Sequence, residues 1–414
     1  MLMETVVTVG AGQAGMQFTA SLREGGFRGR IVLIGDEPWL PYQRPPLSKD
    51  YLDGTVDRDA ILLNPSRYFD AHSIEFRRAA RVEAIDREAA RVELSSGETI
   101  AYDHLVLATG SRNRMLSVIG SDLRGVHQLR TIDDADALKA AMASARSVVV
   151  IGAGFIGLEL AAWVSKLRVP VTVIEAAGRP MARALSADAA GILRNFHECA
   201  GVRFLCNTSV TAMIGRQGTV DSVMTSDGNR IPADVVVVGI GAVPSTELAA
   251  AAGLKVADGI LVDAQLQTSD SAISAIGDCA RFPCKYAASG DARLESVQNA
   301  ADQGRALASR LLGRPAAPYT TVPWFWSVQG EHKLQIAGLT QPHDAAIVLR
   351  AADGRGVSVL CFRDNRFIGA ETINQQRDHM ASRKLLNVEV SLTPDEANIP
   401  GFSLADYAKR CSPP

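Results

Sequence analysis

Two stretches of the chain carry the residue types and spacing needed to hold a dinucleotide. In Ser147 to Glu175, a Val/Ile strand runs into Gly152-Ala-Gly154-Phe155-Ile156-Gly157, then a helix, a second strand and an acid at its end. Gly152 suits the tight turn, and Gly154, without a Cβ, lets a pyrophosphate approach the backbone. Gly157 allows close helix–strand packing, and the helix N-terminus offers N–H groups and a positive dipole end to phosphates. Glu175 follows Gly157 by eighteen residues, where a carboxylate accepts ribose hydroxyls. The arrangement recurs near the N-terminus as Gly10-Ala-Gly12-Gln-Ala14-Gly15 after the strand from Thr5, with Asp36 twenty-one residues past Gly15. A glycine turn in some other α/β unit is the competing reading for either stretch alone. Two of them imply two dinucleotides, and chemistry that needs two is usually hydride passage between a nicotinamide and a flavin.

The elements between these turns read as supports for them. Glu37 to Leu52 packs four prolines around Tyr42, Arg44 and Lys49, a stiff loop before a helix expected near Leu47. Val92 to Leu94 and Glu98 to Tyr102 read as a hairpin, and Tyr102 to Ser111 as a buried strand ending in the small residues Ala108, Thr109 and Gly110. Val235 to Pro244, with Gly239 and Gly241, repeats that logic, and Ser274 to Ala280 does so again, ending in Gly277 and Asp278. A helix is expected from about Ser296 to Gly313, followed by alternating strands and a helix near 376–386 that make a small α+β domain. His104, at the start of its strand, reads as a structural histidine rather than a catalytic one.

Composition bounds the function. At 414 residues the chain suits two or three domains. Its net charge of −2 and pI near 6.4 argue against a nucleic-acid binder relying on bulk positive charge. No apolar run approaches membrane-spanning length, and no leader pattern precedes the first strand, so a cytoplasmic protein is expected. The six cysteines show no CxxC and no zinc-like spacing, so reduced structural thiols and no metal site are expected.

Together, VGAGQAG at 9–15, RPPLSKDYL at 44–52, YDHLVLATG at 102–110, LRT at 129–131, IGAGFIGLE at 151–159, GIGAVP at 239–244, IGDCARF at 276–282, ESVQNA at 295–300 and PWFWS at 323–327 resemble the two-dinucleotide flavoprotein disulfide-reductase superfamily. Within it they are most similar to the oxygenase-coupled NADH:ferredoxin reductases. The resemblance implies a glutathione-reductase-like α/β fold: two Rossmann-like domains plus a C-terminal α+β domain. Residues 1–112 and 241–320 would bind FAD, 113–240 NADH, and 321–414 would form the third domain. FAD would be held by Gly10, Gly12, Ala14, Gly15, Asp36, Arg44, Lys49, Val82, Ala108, Thr109, Gly110, Arg130, Gly277, Asp278, Glu295, Ser296, Val297 and Trp326. NADH would lie against Gly152, Gly154, Phe155, Ile156, Gly157, Glu159, Glu175, Arg183 and Gly241. Lys49 and Glu159 would form a catalytic pair that orients the rings; an ordinary ion pair is the plainer alternative. Glu175 favours NADH over NADPH, although Arg179 and Arg183 follow closely.

The resemblance also makes a missing residue informative. Disulfide-reducing relatives carry a cysteine after the first βαβ unit, where this chain reads Pro46-Leu47-Ser48-Lys49. Without that nucleophile, electrons are expected to leave singly to an external 2Fe–2S ferredoxin serving an oxygenase. Trp324, Phe325 and Trp326 are expected either on the electron route or simply as core aromatics. Arg305, Arg310, Lys333, Arg383 and Lys384 are candidate docking cations for an acidic partner. A rubredoxin as acceptor and a signalling flavoprotein like apoptosis-inducing factor are the alternatives. A monomer or weak homodimer is expected.

Overall fold

The computed structural model describes residues 3–315, 317–351, 354, 356–388 and 392–411. The chain divides into two compact units: Met1–Gln43, Asp57–Arg112 and Val243–Pro323 form one, and Arg44–Val56, Asn113–Ala242 and Trp324–Pro414 the other.

The first unit is built on a five-stranded parallel sheet in the order Ile273–Ala275, His104–Leu107, Thr5–Val9, Arg30–Ile34, Ile74–Arg77. Its inner strands are near-continuous runs of Val, Ile and Leu, as a sheet buried on both faces demands. Val9 is level with Ile34 and Leu107, and Leu107 with Ala275, so Gly10, Gly35, Ala108 and Ile276 leave the sheet along one edge. Ligands of open α/β sheets bind at such carboxyl ends, where the strand order reverses. Helix Gln13–Glu24 packs on helix Val297–Leu311 so closely that a Cβ on Gly304 would come within 2.9 Å of the Phe18 nitrogen. The expected hairpin gains a strand, Val82–Asp86, making a three-stranded antiparallel sheet with Arg91–Leu94 and Thr99–Ala101. The strand expected through Ser274 to Ala280 instead stops at Ala275, because Gly277 adopts φ +77° and opens a 3₁₀ turn, Gly277–Cys279.

The second unit repeats the plan in the order Arg203–Leu205, Val171–Ile174, Val148–Ile151, Val235–Val238, Val126–His127, all parallel. A meander of Val210–Arg216, Thr219–Thr225 and Arg230–Pro232 packs Met213, Val220 and Val223 against Val149, Ile151 and Val236 of that sheet. Each such fully buried aliphatic side chain stabilises the fold by about 1.5–3 kcal/mol. The single helix expected near Leu47 is a 3₁₀ turn, Pro45–Ser48, followed by a short helix, Asp50–Asp53. The break falls at Lys49, whose φ −137° and ψ −115° leave the helical region.

The C-terminal part of this unit is a five-stranded antiparallel sheet ordered Trp324–Gln329, His332–Gly338, Arg366–Ile373, Val357–Arg363, Ala345–Arg350, with helix Gln376–Val388 packed on it. Glu371 is fully buried there. Its carboxylate accepts from the Ser186 backbone N–H (2.9 Å), the Ser186 Oγ (2.6 Å) and the Thr340 Oγ1 (2.7 Å). A buried carboxylate is tolerated only with such a set of donors. Ser186 also caps helix Ala187–Cys199, so one residue ties the parallel-sheet part of this unit to the C-terminal sheet.

Candidate active site

In the first unit the three glycines have different duties. Gly10 has φ +109°, and a Cβ there would lie 2.1 Å from the Ala108 carbonyl oxygen; a Cβ on Gly15 would lie 1.9 Å from the Gly10 oxygen. The fold itself requires those two. A Cβ on Gly12 would meet nothing within 4 Å among the described residues. The middle glycine therefore leaves open space at a helix N-terminus, the shape a pyrophosphate fits. The second unit repeats the division. Gly152 (φ +99°) abuts the Gly239 oxygen, at 2.4 Å from a built Cβ, Gly157 abuts the Gly152 oxygen at 2.1 Å, and Gly154 faces nothing within 4 Å. Phe155 and the exposed Ile156 open helix Phe155–Lys166 beside it.

Around the first turn, the structure gathers Ala14, Ala108, Thr109, Gly110, Gly277 and Asp278 at the carboxyl edge of the sheet. A Cβ on Gly277 would lie 2.8 Å from the Ala14 Cβ, and Asp278 accepts from Ser111 Oγ at 3.0 Å. Asp36 is exposed at the end of its strand, whereas Glu37 accepts from the Tyr42 hydroxyl. Ser296 caps the Asn299 N–H (3.0 Å), which makes Val297 the first residue of its helix. Glu295 is exposed and paired with Arg293 at 2.5 Å. Val82 lies in the antiparallel sheet rather than the parallel one. Arg44, Lys49, Arg130 and Trp326 belong to the second unit, where Arg44 Nη1 donates to the Arg130 carbonyl at 2.5 Å.

Glu175 in the second unit clamps its own glycine turn: its two oxygens accept from the Ala153 and Ala177 N–H groups, each at 2.8 Å. The lone pairs left over are those available to a ribose diol. Arg179 is turned away, its Nη2 donating to the Ala182 (3.2 Å) and Leu185 (2.8 Å) carbonyls. Arg183 is exposed and adjoins Gly241, where a Cβ would lie 3.4 Å from its Nη2.

The expected pair is formed. Lys49 Nζ donates to Glu159 Oε2 at 2.6 Å, with 18% of the lysine side chain and 3% of the glutamate exposed. The same oxygen accepts from Ser48 Oγ at 2.5 Å. The other, Oε1, accepts from Ser327 Oγ at 2.7 Å and from the Val328 N–H at 3.3 Å. With both oxygens occupied twice, Glu159 is fitted to hold Lys49 in place. The second and third directions of the ammonium go to the Pro45 carbonyl (3.3 Å) and Ser48 Oγ (3.4 Å), long contacts that a ligand could replace.

No cysteine occupies the position of Ser48. Cys279, in the first unit, is fully buried with its Sγ toward the Ile276 and Leu107 carbonyls, and burial pushes its thiol pKa up. That thiol is suited to packing, not to nucleophilic attack.

Residues 4–304 match the family described as pyridine nucleotide-disulphide oxidoreductase, and residues 324–408 match the reductase C-terminal family. The chain belongs to the pyridine nucleotide-disulphide oxidoreductases. It is 51% identical to the rhodocoxin reductase of Rhodococcus erythropolis over 97% of its own length and 93% of the relative's. Among solved structures, it resembles the ferredoxin reductase for the CYP199A2 system from Rhodopseudomonas palustris, with 46% identity, a TM-score of 0.94, and 98% and 100% of the two chains covered. It also resembles the covalent putidaredoxin reductase–putidaredoxin complex, with 34% identity, a TM-score of 0.94, and 99% of each chain covered. The expected fold class holds, and as a pyridine nucleotide-disulphide oxidoreductase the chain is an enzyme that uses FAD and NAD(H).

For this family member, sequence reasoning missed Ser327, Val328, Gln329 and His197. The signal was the period-two alternation of Phe325, Ser327 and Gln329 between Trp324, Trp326 and Val328. Phe325 packs on Phe155 with ring centroids 4.3 Å apart and planes tilted by 46°, while Trp324 and Trp326 pair with each other at 5.4 Å. Of the expected docking cations, Arg310 turns inward, donating to Gln267 Oε1 (2.9 Å) and Ser274 Oγ (2.6 Å). Arg305 pairs with Asp302. Lys333 and Lys384 are exposed, and the Arg383 guanidinium lies 4.6 Å over the Trp324 ring. Beside Trp324 at 5.5 Å, His379 is buried, and burial, reinforced by Arg383 and Lys333, lowers its pKa to about 4.

Proposed function

We propose that this oxidoreductase is an NADH:ferredoxin reductase, taking hydride from NADH and delivering single electrons to a small 2Fe–2S protein that serves an oxygenase. The observation that carries the reading is Ser48 in place of a reactive cysteine, its hydroxyl bound to the carboxylate that holds Lys49. Bound FAD supplies a two-electron acceptor that can release electrons one at a time. The chain's own residues do the rest. Gly12 and Gly154 leave room for the two pyrophosphates, and Asp36 and Glu175 accept the adenosine riboses. Ser296 and Val297 start a helix whose first N–H groups and dipole favour an electron-rich ring edge. Ala14, Asp278, Arg44, Arg130 and Trp326 belong to the same FAD assignment. Lys49 and Glu159 fix the nicotinamide's approach. The three-domain division at about residues 112, 240 and 320, cytoplasmic residence and a monomer or weak homodimer complete the reading.

The ring pair Trp324–Trp326 and the cations Lys333, Arg383 and Lys384 make the C-terminal sheet the favoured face for an acidic carrier. The test is stopped-flow on the purified yellow protein with NADH or NADPH, followed by a panel of 2Fe–2S ferredoxins and a rubredoxin. Rapid bleaching by NADH and turnover with a ferredoxin are expected. Transfer to the ferredoxin should slow with salt while bleaching does not. Faster turnover with rubredoxin would move the reading to a rubredoxin reductase, and no turnover with any carrier would move it to a signalling flavoprotein.

A further inference from the structure

The strand Trp324–Gln329 presents alternate side chains to the NADH-type domain. Phe325 meets Phe155, Ser327 meets Glu159 four residues along the same helix, and Gln329 reaches His197 on helix Ala187–Cys199. The polar members form a continuous chain. His197 Nε2 bonds Gln329 Oε1 at 2.8 Å, Gln329 Nε2 donates to Ser327 Oγ at 3.3 Å, and Ser327 Oγ donates to Glu159 Oε1 at 2.7 Å. With the Gln329 amide so oriented, His197 is the Nε2–H tautomer and every donor points toward Glu159. Ser327 is fully buried, and Gln329, His197 and Glu159 are nearly so, at 2%, 4% and 4% exposed.

That burial matters because, among the described residues, the opposite oxygen of Glu159 is held by Ser48 and Lys49 alone, neighbours on one short segment. The terminal torsion of a glutamate is soft. A carboxylate anchored at one oxygen swivels, and the lysine bound to it swivels too. The second oxygen is anchored by the Ser327 hydroxyl at 2.7 Å and, at the longer distance of 3.3 Å, by the Val328 N–H. Both sit on a strand paired throughout with His332–Gly338, and this removes that freedom. We propose that Ser327, backed by Gln329 and His197, is a positioning residue for hydride transfer: the C-terminal sheet fixes the Glu159 carboxylate and through it the Lys49 ammonium. The inference rests on the reading that this pair lies at the nicotinamide.

The experiment compares Ser327→Ala, Ser327→Thr and Gln329→Met with wild type by stopped flow. One arm follows bleaching of the flavin by NADH. The other follows oxidation of dithionite-reduced enzyme by a ferredoxin, and thermal melts run alongside. Losing one charge-assisted hydrogen bond lowers the limiting bleaching rate of Ser327→Ala by about ten- to a hundredfold. The NADH concentration dependence and the ferredoxin step stay near wild type. Threonine, which keeps the hydroxyl, restores most of the rate although it is the larger change in volume. Gln329→Met gives a smaller loss. Unchanged bleaching in Ser327→Ala, a threonine variant as slow as alanine, or equal slowing of both arms each overturns the positioning role while leaving the reductase reading intact. Wild-type enzyme that NADH does not bleach overturns the reading and the inference together.

Discussion

Consider Gly154→Ala, a methyl group placed where the free protein has open space. Gly154 has φ −81° and ψ −173°, backbone that alanine adopts without strain, and nothing lies within 4 Å of the new Cβ. Restricting the unfolded chain favours the substitution by about 0.4–1 kcal/mol. Alanine is a poorer helix N-cap than glycine, which costs a comparable amount. The net change in stability is within about 1 kcal/mol, a melting shift of a few degrees at most. Gly157→Ala is the control: its Cβ would sit 2.1 Å from the Gly152 oxygen, so the turn must shift, at a cost of about 1–3 kcal/mol. Coenzyme binding separates the two. If the pyrophosphate of NADH occupies the space before Gly154, the methyl displaces it and removes one or two charge-assisted N–H bonds. Each is worth about 1.5–3 kcal/mol, so NADH affinity falls at least about tenfold. Thermal melts and the NADH dependence of flavin bleaching measure both effects. A Gly154→Ala protein that melts as low as Gly157→Ala, or that binds NADH as wild type does, refutes the assignment. Gly12→Ala should repeat the pattern in flavin retention, leaving NADH binding alone.

Lys49→Met leaves the Glu159 carboxylate buried without its cation, a loss of about 3–5 kcal/mol that the further change Glu159→Gln should partly reverse in thermal melts. Both variants should bleach slowly with NADH. Acid should loosen the first unit through His104, whose pKa burial lowers to about 4, with the nearby Arg310 adding repulsion. Above pH about 6.5 both states are neutral; between there and about 4 only the unfolded chain takes the proton, so stability falls with pH. At pH 5 the loss is about 2 kcal/mol, and melting His104→Asn at pH 7.5 and 5 should show a shallower decline. Glu175→Ala should raise the KM for NADH without a matching gain for NADPH, because Arg179 is committed to the Ala182 and Leu185 carbonyls. A kcat/KM for NADPH that overtakes NADH would contradict this.

Both glycine turns and their sheets were legible because each residue's duty is local: Gly10 and Gly152 need positive φ, and the Val/Ile runs beside them have no other reading. The Lys49–Glu159 pairing came from resemblance, since 110 residues separate the partners and no periodicity links them. The remaining donors to Glu159 were hidden for a different reason. Ser327 and Gln329 share one face of the strand with Phe325, alternating with Trp324, Trp326 and Val328, but only tertiary packing reveals what that face meets. Arg310 misled for a related reason: a charge count cannot tell a guanidinium facing water from one bonded to Gln267 and Ser274. The four prolines from Pro38 to Pro46 signalled a stiff loop before a helix near Leu47, but not the 3₁₀ turn over Pro45–Ser48 or the break at Lys49.

The Ser186–Glu371 tie bears on attempts to trim or recombine such enzymes. A chain cut after Pro323 would forfeit two of the donors to Glu159, and the Ser186 cap would lose the acid it leans on. The last strands are thus no detachable appendage. A chimera that swaps them for another protein's tail must carry over a serine and a glutamate at these two points, or leave the Glu159 carboxylate and the Ser186 cap short of their partners.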